Sequence, residues 1–162
     1  MSSSADTGGD PGSLVWSELD ETNQAEVRSL ILDGLGEHWG SINPSLNPDL
    51  DDMVATYGAG STVVVRGSNG DLLGTGTIVM GERHVAEIVR MSVAQHARRH
   101  GIGRLIVERL LDTARSLGAV AVVLETTSAW EEVVRFYVSC GFEVTHTTES
   151  EFGTDTWFRY EL

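Results

Sequence analysis

A basic, glycine-rich turn is the first stretch of this sequence whose residue types could do chemistry. Arg98-x-x-Gly101-x-Gly103 follows an apolar segment and precedes apolar residues at helical spacing. Two glycines let a backbone approach a ligand closely, and a helix start offers unpaired N–H groups and the positive end of the helix dipole. With the charges of Arg98, Arg99 and Arg104, the segment predicts a pyrophosphate site. An ordinary turn before a helix explains the same glycines, and that alternative stays open.

Two common nucleotide motifs are absent from this segment. The chain has no Gly-x-x-x-x-Gly-Lys-Ser/Thr, so the turn is not a P-loop. Ile106 stands where a dinucleotide fingerprint has its third glycine. The remaining interpretation is a pyrophosphate cradle of the Arg/Gln-x-x-Gly-x-Gly/Ala type.

Two motifs together resemble the GNAT (Gcn5-related N-acetyltransferase) superfamily. The basic turn, placed after a strand ending Met91-Ser92-Val93, is similar to that family's coenzyme A signature. Phe136-Tyr137-x-x-x-Gly141-Phe142 is similar to its later helix-to-strand junction. The likeness covers roughly residues 14–162. It implies an acetyl-CoA-dependent N-acetyltransferase, with acetyl-CoA as acyl donor and a primary amine as acceptor.

The resemblance also implies which residues hold the cofactor. They are Met91, Ser92, Val93, Arg98, Arg99, His100, Gly101, Ile102, Gly103 and Arg104. In the family, two central strands part near Met91–Val93, the freed backbone groups pair with the pantetheine arm, and one N–H faces the thioester carbonyl. Trp130 stands where many members carry a cofactor-contacting asparagine, so no such contact is expected there.

Tyr137 is the candidate general acid. It follows the last buried strand, and a phenol can donate a hydrogen bond to a departing sulfur. The family tyrosine in the matching motif often has this role. The alternative is an aromatic side chain that only packs a helix against the sheet.

Glu87 is the candidate general base and a substrate-binding residue. It lies among Val85, Ile88 and Val89, where a carboxylate is costly unless it is paired or used. Partial burial would raise its pKa and improve it as a base at neutral pH. The alternative is a salt bridge to Arg90, Arg83 or a neighbouring strand.

The loop region from Glu37 to Met53 is the candidate acceptor cover. In the GNAT family the segment between the first two helices usually covers the acceptor. Trp39 is the proposed substrate-binding residue, with His38, Glu37, Asp49, Asp51 and Asp52 as further groups that could recognise a cationic amine. Packing of Trp39 under the loop, and acids that simply suit a helix start, explain the same residues.

The composition of the chain argues against several classes of function. A net charge of −13 argues against a general nucleic-acid binder, which needs a basic face, and fits a small cationic amine as acceptor. There is no apolar run of membrane-spanning length and no signal segment, and the single cysteine, Cys140, is expected to be structural. These features predict a cytoplasmic protein without a membrane or nucleic-acid partner. The scattered histidines predict no metal site, and the resemblance allows a homodimer.

The predicted fold is a single mixed α/β domain of the GNAT type at residues 13–162, after a disordered tail at 1–12. Its central, mostly antiparallel, twisted sheet has about six to seven strands, with helices on both faces. The predicted elements begin with an edge strand from Leu14, a helix from Asp20 or Thr22 to about Leu35 ended by Gly34 and Gly36, and a short helix from Asn47 to about Tyr57. Strands follow at 61–66, 72–80 and 84–93, and Gly74 and Gly76 in the second of them suit a bulge or a close backbone approach. The last elements are a helix after Gly103, a near-continuous apolar run at 119–125 that predicts a buried parallel strand, a helix capped by Thr127 or Ser128 and ended by Gly141, and strands at 142–147 and 154–162.

Two other functions remain open from the sequence. One is a CoA-binding module that senses the cofactor or binds a partner without catalysis. The other is an unrelated nucleotide-binding protein that uses the basic turn for phosphates. Preference for ATP over acetyl-CoA would favour the second.

Overall fold

The computed structural model describes residues 13–40 and 46–162, so the predicted tail at 1–12 lies outside the described residues. The described part contains seven strands and four helices. They are β1 (Val15–Glu18), α1 (Gln24–Trp39), α2 (Met53–Tyr57), β2 (Thr62–Arg66), β3 (Leu72–Met80), β4 (Val85–Val93), α3 (Ile102–Ser116), β5 (Ala121–Thr127), α4 (Glu131–Ser139), β6 (Glu143–Ser150) and β7 (Gly153–Glu161). No helix in this part of the chain is long and apolar enough to span a bilayer.

The strands form one sheet in the order β1-β2-β3-β4-β5-β7-β6. β1 pairs with β2, β2 with β3, β5 with β7 and β6 with β7, all antiparallel. β4 and β5 are parallel, with Val85–Glu87 opposite Ala121–Val123. The predicted fold class, the edge position of β1 and the parallel central pair are confirmed.

The described residues group into two compact units. The first unit comprises the described residues up to Thr77 together with Arg90–Leu110. Its core packs the apolar face of α1 against α2 and β2, through Val27, Ile31, Met53 and Val64, all of which are buried. The packing of an apolar face therefore stabilises α1 and α2 in this unit.

The second unit comprises Ile78–Val89 and Leu111–Leu162. Val122 and Leu124 of β5 and Phe158 of β7 are fully or almost fully buried. Tyr137 of α4 packs onto Phe158, with ring centroids 5.8 Å apart. The near-continuous apolar run that predicted β5 thus reflects a strand in the core.

The predicted end of α1 at Gly34 and Gly36 is wrong, because the helix continues to Trp39 and ends at Gly40, which has a positive φ of 80°. Gly34 has a packing role instead. A Cβ atom at that position would lie 2.9 Å from the Ser92 hydroxyl, so the glycine allows close approach of α1 to β4. The same explanation was predicted for Gly76, where a Cβ would lie within 3 Å of Met91, Ile106 and Leu110 side-chain atoms, and it is confirmed there.

The predicted cap of α4 is also wrong. The N-cap residue is Trp130, whose side chain makes no capping hydrogen bond. Ser128 instead shares a 2.7 Å hydrogen bond with Thr156, so its hydroxyl links the chain to β7. Gly141 follows the helix with a φ of 100°, which confirms the predicted end.

Candidate functional site

The basic turn of the first unit opens toward solvent. Arg99 has a φ of 69° and Gly101 one of 80°, and these two left-handed residues turn the chain into α3. The N–H of Leu105 donates to the Gly101 carbonyl and closes the first helical turn. A Cβ at Gly101 would have no atom within 4 Å, so space for a ligand lies beside this backbone. The side chains of Arg98, Arg99, His100 and Arg104 are exposed, whereas Ile102 is buried and Gly103 is half-buried.

Arg98 already carries an internal anion. Its Nε donates to the Val93 carbonyl over 3.1 Å, and its Nη2 donates to the carboxylate of Glu37. Because a carboxylate and a phosphate make similar bidentate contacts with a guanidinium, Glu37 occupies a position that an anionic ligand could take over.

The end of β4 is held at several points within the first unit. The Ser92 hydroxyl donates to the Leu30 carbonyl over 3.3 Å, and the Ala94 N–H donates to the Leu73 carbonyl over 2.8 Å. Met91, Ser92 and Val93 are half-buried. Arg90, directly before them, has a φ of 55°, which is uncommon for a residue with a side chain.

The acids that were predicted to recognise a cation near α2 all have partners in the first unit. Asp49 accepts hydrogen bonds from Arg90 and from the Tyr57 phenol. Asp52 caps α2 by accepting the Ala55 N–H over 3.2 Å. Asp51 lies 3.9 Å from the Arg28 guanidinium, and Glu37 pairs with Arg98. Trp39, the last residue of α1, remains 47% exposed.

Burial and hydrogen bonding act in opposite directions on Asp49. Burial alone would raise the pKa of this carboxyl, but the hydrogen bonds from Arg90 and Tyr57 outweigh it and hold the pKa below its ordinary value. Burial, with the hydrogen bond to Asp49, raises the pKa of Tyr57 to about 12. The group therefore stays an ionised carboxylate beside a protonated phenol at neutral pH.

Glu87 lies in the second unit without a counter-ion. It is half-buried in β4, opposite Val123 of β5. Burial raises the pKa of its carboxyl above the ordinary value. Among the ion pairs of the described residues none involves Glu87, and Arg90, the partner predicted as an alternative, is bound to Asp49 instead. That salt-bridge alternative is wrong for Arg90.

Glu125 of β5 shares its sheet face with Glu87. In a sheet, paired residues and every second residue along a strand point to one face. Glu87 pairs with Val123, Glu125 follows two residues later, and Asp155 pairs with Thr127 on the same face. Burial raises the pKa of Glu125, and the charges of Asp155 and Glu87 raise it further. The ionised form of Glu125 is therefore disfavoured by its burial and by its acidic neighbours.

A shallow depression lies on the second unit beside this face. It has a volume of about 370 Å³ and is lined by Val123, Thr145, His146, Trp157, Phe158 and Arg159. The rings of His146 and Trp157 stack at 5.7 Å. Trp157 pairs with Glu125, and Arg159 pairs with Val123 in the β5–β7 register. An aromatic surface next to carboxylates suits a cationic ligand.

Tyr137 lies in an aromatic cluster of the second unit. Only 6% of the residue is exposed, and its ring contacts those of Phe136, Phe142 and Phe158 edge-on or tilted. Burial, with a smaller contribution from Cys140, raises the pKa of the phenol well above its ordinary range. The hydroxyl is therefore protonated at neutral pH and can act only as a proton donor.

The protein family can be assigned because a family model matches most of the sequence. A sequence model of the acetyltransferase (GNAT) family matches residues 25–142. The chain belongs to the GNAT acetyltransferase family. N-acetyltransferase 8 of Rattus norvegicus is 31% identical over 130 residues, which cover 75% of this chain and 58% of that protein. The matched part of the present protein thus spans less than two thirds of the length of this relative.

Two solved structures show the GNAT fold clearly. A GNAT-family acetyltransferase from Staphylococcus aureus Mu50 superposes with a TM-score of 0.81 at 16% identity, over 93% of this chain and 99% of that one. The Bacillus subtilis acetyltransferase in complex with CoA superposes with a TM-score of 0.74 at 19% identity, over 92% and 99% of the two chains. At these identities the likeness establishes the fold.

Sequence reasoning missed four features of the GNAT chain. They are the acidic neighbour Glu125, its partner Asp155, the aromatic Trp157 and the ion pair of Arg90 with Asp49. A usable signal existed for Glu125, because a carboxylate ends an otherwise apolar buried strand two residues after Val123. No local signal exists for the other three, since their partners are distant in sequence. Within the described residues, no cluster of His, Cys, Asp and Glu could hold a metal ion.

Proposed function

We propose that this protein is an acetyl-CoA-dependent N-acetyltransferase that moves an acetyl group directly to a primary amine. One observation carries the proposal. A single strand, β4, bears the half-buried carboxyl of Glu87, for which residues 13–40 and 46–162 supply no counter-ion, and it runs through Met91–Val93 toward an open basic glycine turn. A base and an anion-binding backbone on one element are what an acyl transfer from a CoA thioester requires.

The first unit supplies the cofactor-binding residues in this proposal. Arg98, Arg99, His100 and Arg104 hold the pyrophosphate together with the backbone from Gly101 to Gly103, which begins α3. Arg98 exchanges the Glu37 carboxylate for phosphate oxygens when the cofactor binds. The backbone groups of Met91, Ser92 and Val93 pair with the pantetheine arm.

Glu87 acts as the general base. A lysine-like amine has a pKa of about 10.4 in water and must lose a proton before it can attack. Burial raises the pKa of Glu87, and a base with a pKa closer to neutrality accepts this proton more readily. The amine nitrogen then attacks the thioester carbonyl carbon, and a backbone N–H at Met91–Val93 stabilises the oxyanion.

Tyr137 acts as the general acid in the second half of the reaction. The C–S bond breaks and the phenol gives its proton to the departing CoA sulfur, while the attacking nitrogen releases its second proton to solvent and becomes the neutral amide. The raised pKa keeps the phenol protonated at neutral pH, so its O–H is in place to donate to the sulfur as negative charge develops there. The Glu87 proton and the Tyr137 site then re-equilibrate with solvent.

The acceptor class is a small cationic amine. The support comes from the second unit, where Glu87, Glu125 and Asp155 share one sheet face beside Trp157. In the first unit, Trp39, which is 47% exposed, is the aromatic residue proposed to contact the acceptor. Carboxylates attract the ammonium form, and aromatic faces stabilise it by cation–π contact.

A second function, CoA binding without catalysis, is favoured by one observation. Tyr137 is packed like a core residue among three phenylalanines. A sensor of this kind would bind acetyl-CoA and CoA equally and would release no thiol with any amine.

Parallel calorimetric titrations with acetyl-CoA, CoA and ATP test the proposal first. The proposal expects micromolar binding of acetyl-CoA and CoA and much weaker binding of ATP. A panel of primary amines is then screened for thiol release from acetyl-CoA. Binding without thiol release from any amine would favour the sensor, and preference for ATP would remove both functions.

A further inference from the structure

Arg90 combines an unusual backbone with an unusually well-held side chain. Its φ of 55° places it in the left-handed region in the middle of β4. Such a conformation is strained for a residue other than glycine and persists only where the surroundings enforce it. The contacts of Arg90 must therefore maintain its positive φ.

The guanidinium of Arg90 is clamped by residues 41 and 43 positions earlier. Its Nε and Nη2 donate to the two carboxylate oxygens of Asp49 over 2.8 and 2.6 Å, and Nη2 also donates to the Asn47 side-chain oxygen over 3.1 Å. The side chains of Arg90 and Asp49 are only 21% and 22% exposed. The Tyr57 phenol donates to Asp49 Oδ2, the oxygen that also accepts from Arg90 Nε.

A second bidentate pair in the same unit shows that such geometry alone does not impose a left-handed backbone. Arg66 donates from both terminal nitrogens to Glu26, with exposures of 25% and 53%. Arg66 is not among the positive-φ residues of the described chain. The coincidence of ion pair, burial and left-handed backbone is thus particular to Arg90.

The position of Arg90 gives this clamp a consequence for the cofactor. Residues 91–93 follow immediately, and their far end is fixed by Ala94, whose N–H donates to Leu73. A left-handed residue in a strand rotates the polar groups that follow it out of the regular ladder. The clamp therefore sets the direction of the N–H and C=O groups of Met91–Val93.

We infer that Arg90 is a positioning residue: its ion pair with Asp49 holds the left-handed turn in β4 that presents the backbone of Met91–Val93 to the pantetheine arm of acetyl-CoA. This inference rests on the proposed function. It assigns Asp49 to the cofactor side of the reaction, although the acidic segment around it suggested acceptor recognition. It also means that the segment before α2, through Asp49, helps to fix the backbone conformation of β4.

Two ligands separate positioning from general stability. CoA contains the pantetheine arm, whereas 3′,5′-ADP lacks that arm and keeps the adenosine, its 3′-phosphate and one of the two phosphates of the pyrophosphate. Calorimetric titrations of Asp49→Asn and Arg90→Gln should show CoA binding weakened about 10-fold or more, because the pantetheine contacts are misdirected. Binding of 3′,5′-ADP should change less than about 2-fold, since the basic turn is untouched. Arg66→Gln is the matched control and should change neither affinity.

Two further variants keep the test decisive. Tyr57→Phe leaves the ion pair intact and should give a smaller loss of CoA affinity than Asp49→Asn. Arg90→Gly should recover part of the CoA affinity lost in Arg90→Gln, because glycine adopts a positive φ without strain. If Arg90→Gln does not fold, as judged by its thermal unfolding, Asp49→Asn and Tyr57→Phe carry the test.

The outcomes distinguish this inference from the proposed function. Equal losses for CoA and 3′,5′-ADP in folded variants, or unchanged CoA binding in folded Asp49→Asn, would overturn the positioning role and leave the proposed function standing. A wild-type protein that binds neither CoA nor acetyl-CoA would remove the proposed function, and the inference with it.

Discussion

The acids around α2 and the acids on the sheet face of the second unit have opposite surroundings. In the first unit, Asp49, Asp52 and Glu37 accept hydrogen bonds from an arginine or a backbone N–H, so their charges are used within the fold. In the second unit, Glu87 and Glu125 lie half-buried or beside another acid, with no ion pair among the described residues. The difference teaches that the number of acids in a segment does not reveal which of them are available for chemistry.

The surroundings of each acid also determine whether its pKa is raised or lowered from the ordinary value. The partners of Asp49 overcome its burial and keep the pKa low, so this carboxylate cannot exchange protons near neutral pH. At Glu87 burial acts alone and raises the pKa. We therefore propose proton transfer for the second group of acids and structural anchoring for the first.

The largest effect expected from this comparison is that of Glu87→Gln. Loss of a general base typically lowers turnover by about 100-fold or more, and the amide cannot accept the amine proton. Asp51→Asn removes an exposed acid of the first group and should leave turnover within about 2-fold of wild type. Thiol release from acetyl-CoA at saturating amine measures both. Equal activity in the two variants would mean that the acids of the two units do not differ in their importance for catalysis.

Tyr137→Phe should give the next largest effect. Removal of the donor hydroxyl should lower kcat about 10-fold or more, because the CoA thiolate then leaves without a proton. The ring contacts with Phe142 and Phe158 are kept, so the thermal midpoint should not fall. Tyr160→Phe, on a neighbouring ring of the same cluster, is the control and should retain activity. Full turnover in Tyr137→Phe would leave this residue with a packing role only.

Glu37→Gln should act in the opposite direction, on binding. The exposed pair of Glu37 with Arg98 must open before Arg98 can contact a phosphate. Such pairs contribute about 0.2–1 kcal/mol, so their loss should tighten acetyl-CoA binding by roughly 1.5- to 5-fold. Isothermal titration at low and high salt checks the sign. Weaker binding in the variant would mean that Glu37 orients Arg98 rather than competing for it.

The smallest expected effect is a pH-dependent gain in stability for Glu125→Gln. Burial, Asp155 and Glu87 raise the folded-state pKa of Glu125 above its unfolded value. The stability linked to this group is present below the unfolded pKa and is lost as the pH rises through the folded one. The variant should therefore unfold at a higher temperature than wild type at pH 7.5, and the gain should vanish toward pH 4. A gain that persists at pH 4 would point to a cause other than ionisation.

Local patterns predicted the elements of this fold well, and distant contacts explain what they missed. The basic turn, the parallel β4–β5 pair and the close approach at Gly76 were readable from glycine spacing and apolar runs. The true end of α1 was not, because Gly34 serves a contact with Ser92 of a distant strand. The Arg90–Asp49 clamp joins residues 41 positions apart, and no periodicity signals such a pair.

The candidate site shows the same division. The family motifs led to the proposed cofactor residues and to Tyr137 as the proposed acid, and these assignments stay predictions. The apolar neighbours of Glu87 predicted partial burial and a raised pKa, in agreement with its half-buried position. The availability of each acid depends on which cations reach it after folding. For that reason the sequence placed cation recognition in the segment from Glu37 to Asp52, whose four acids the fold engages internally.

The most direct measurement is the pH dependence of kcat for thiol release, in wild type and Glu87→Gln, with two acceptor amines of different pKa. The account predicts an acid limb in wild type whose midpoint lies above the ordinary pKa of a glutamate, is the same for both amines, and disappears in Glu87→Gln. Glu125→Gln serves as the control for its neighbour and should keep the limb. A limb that follows the pKa of the amine, or that survives in Glu87→Gln, would contradict the account.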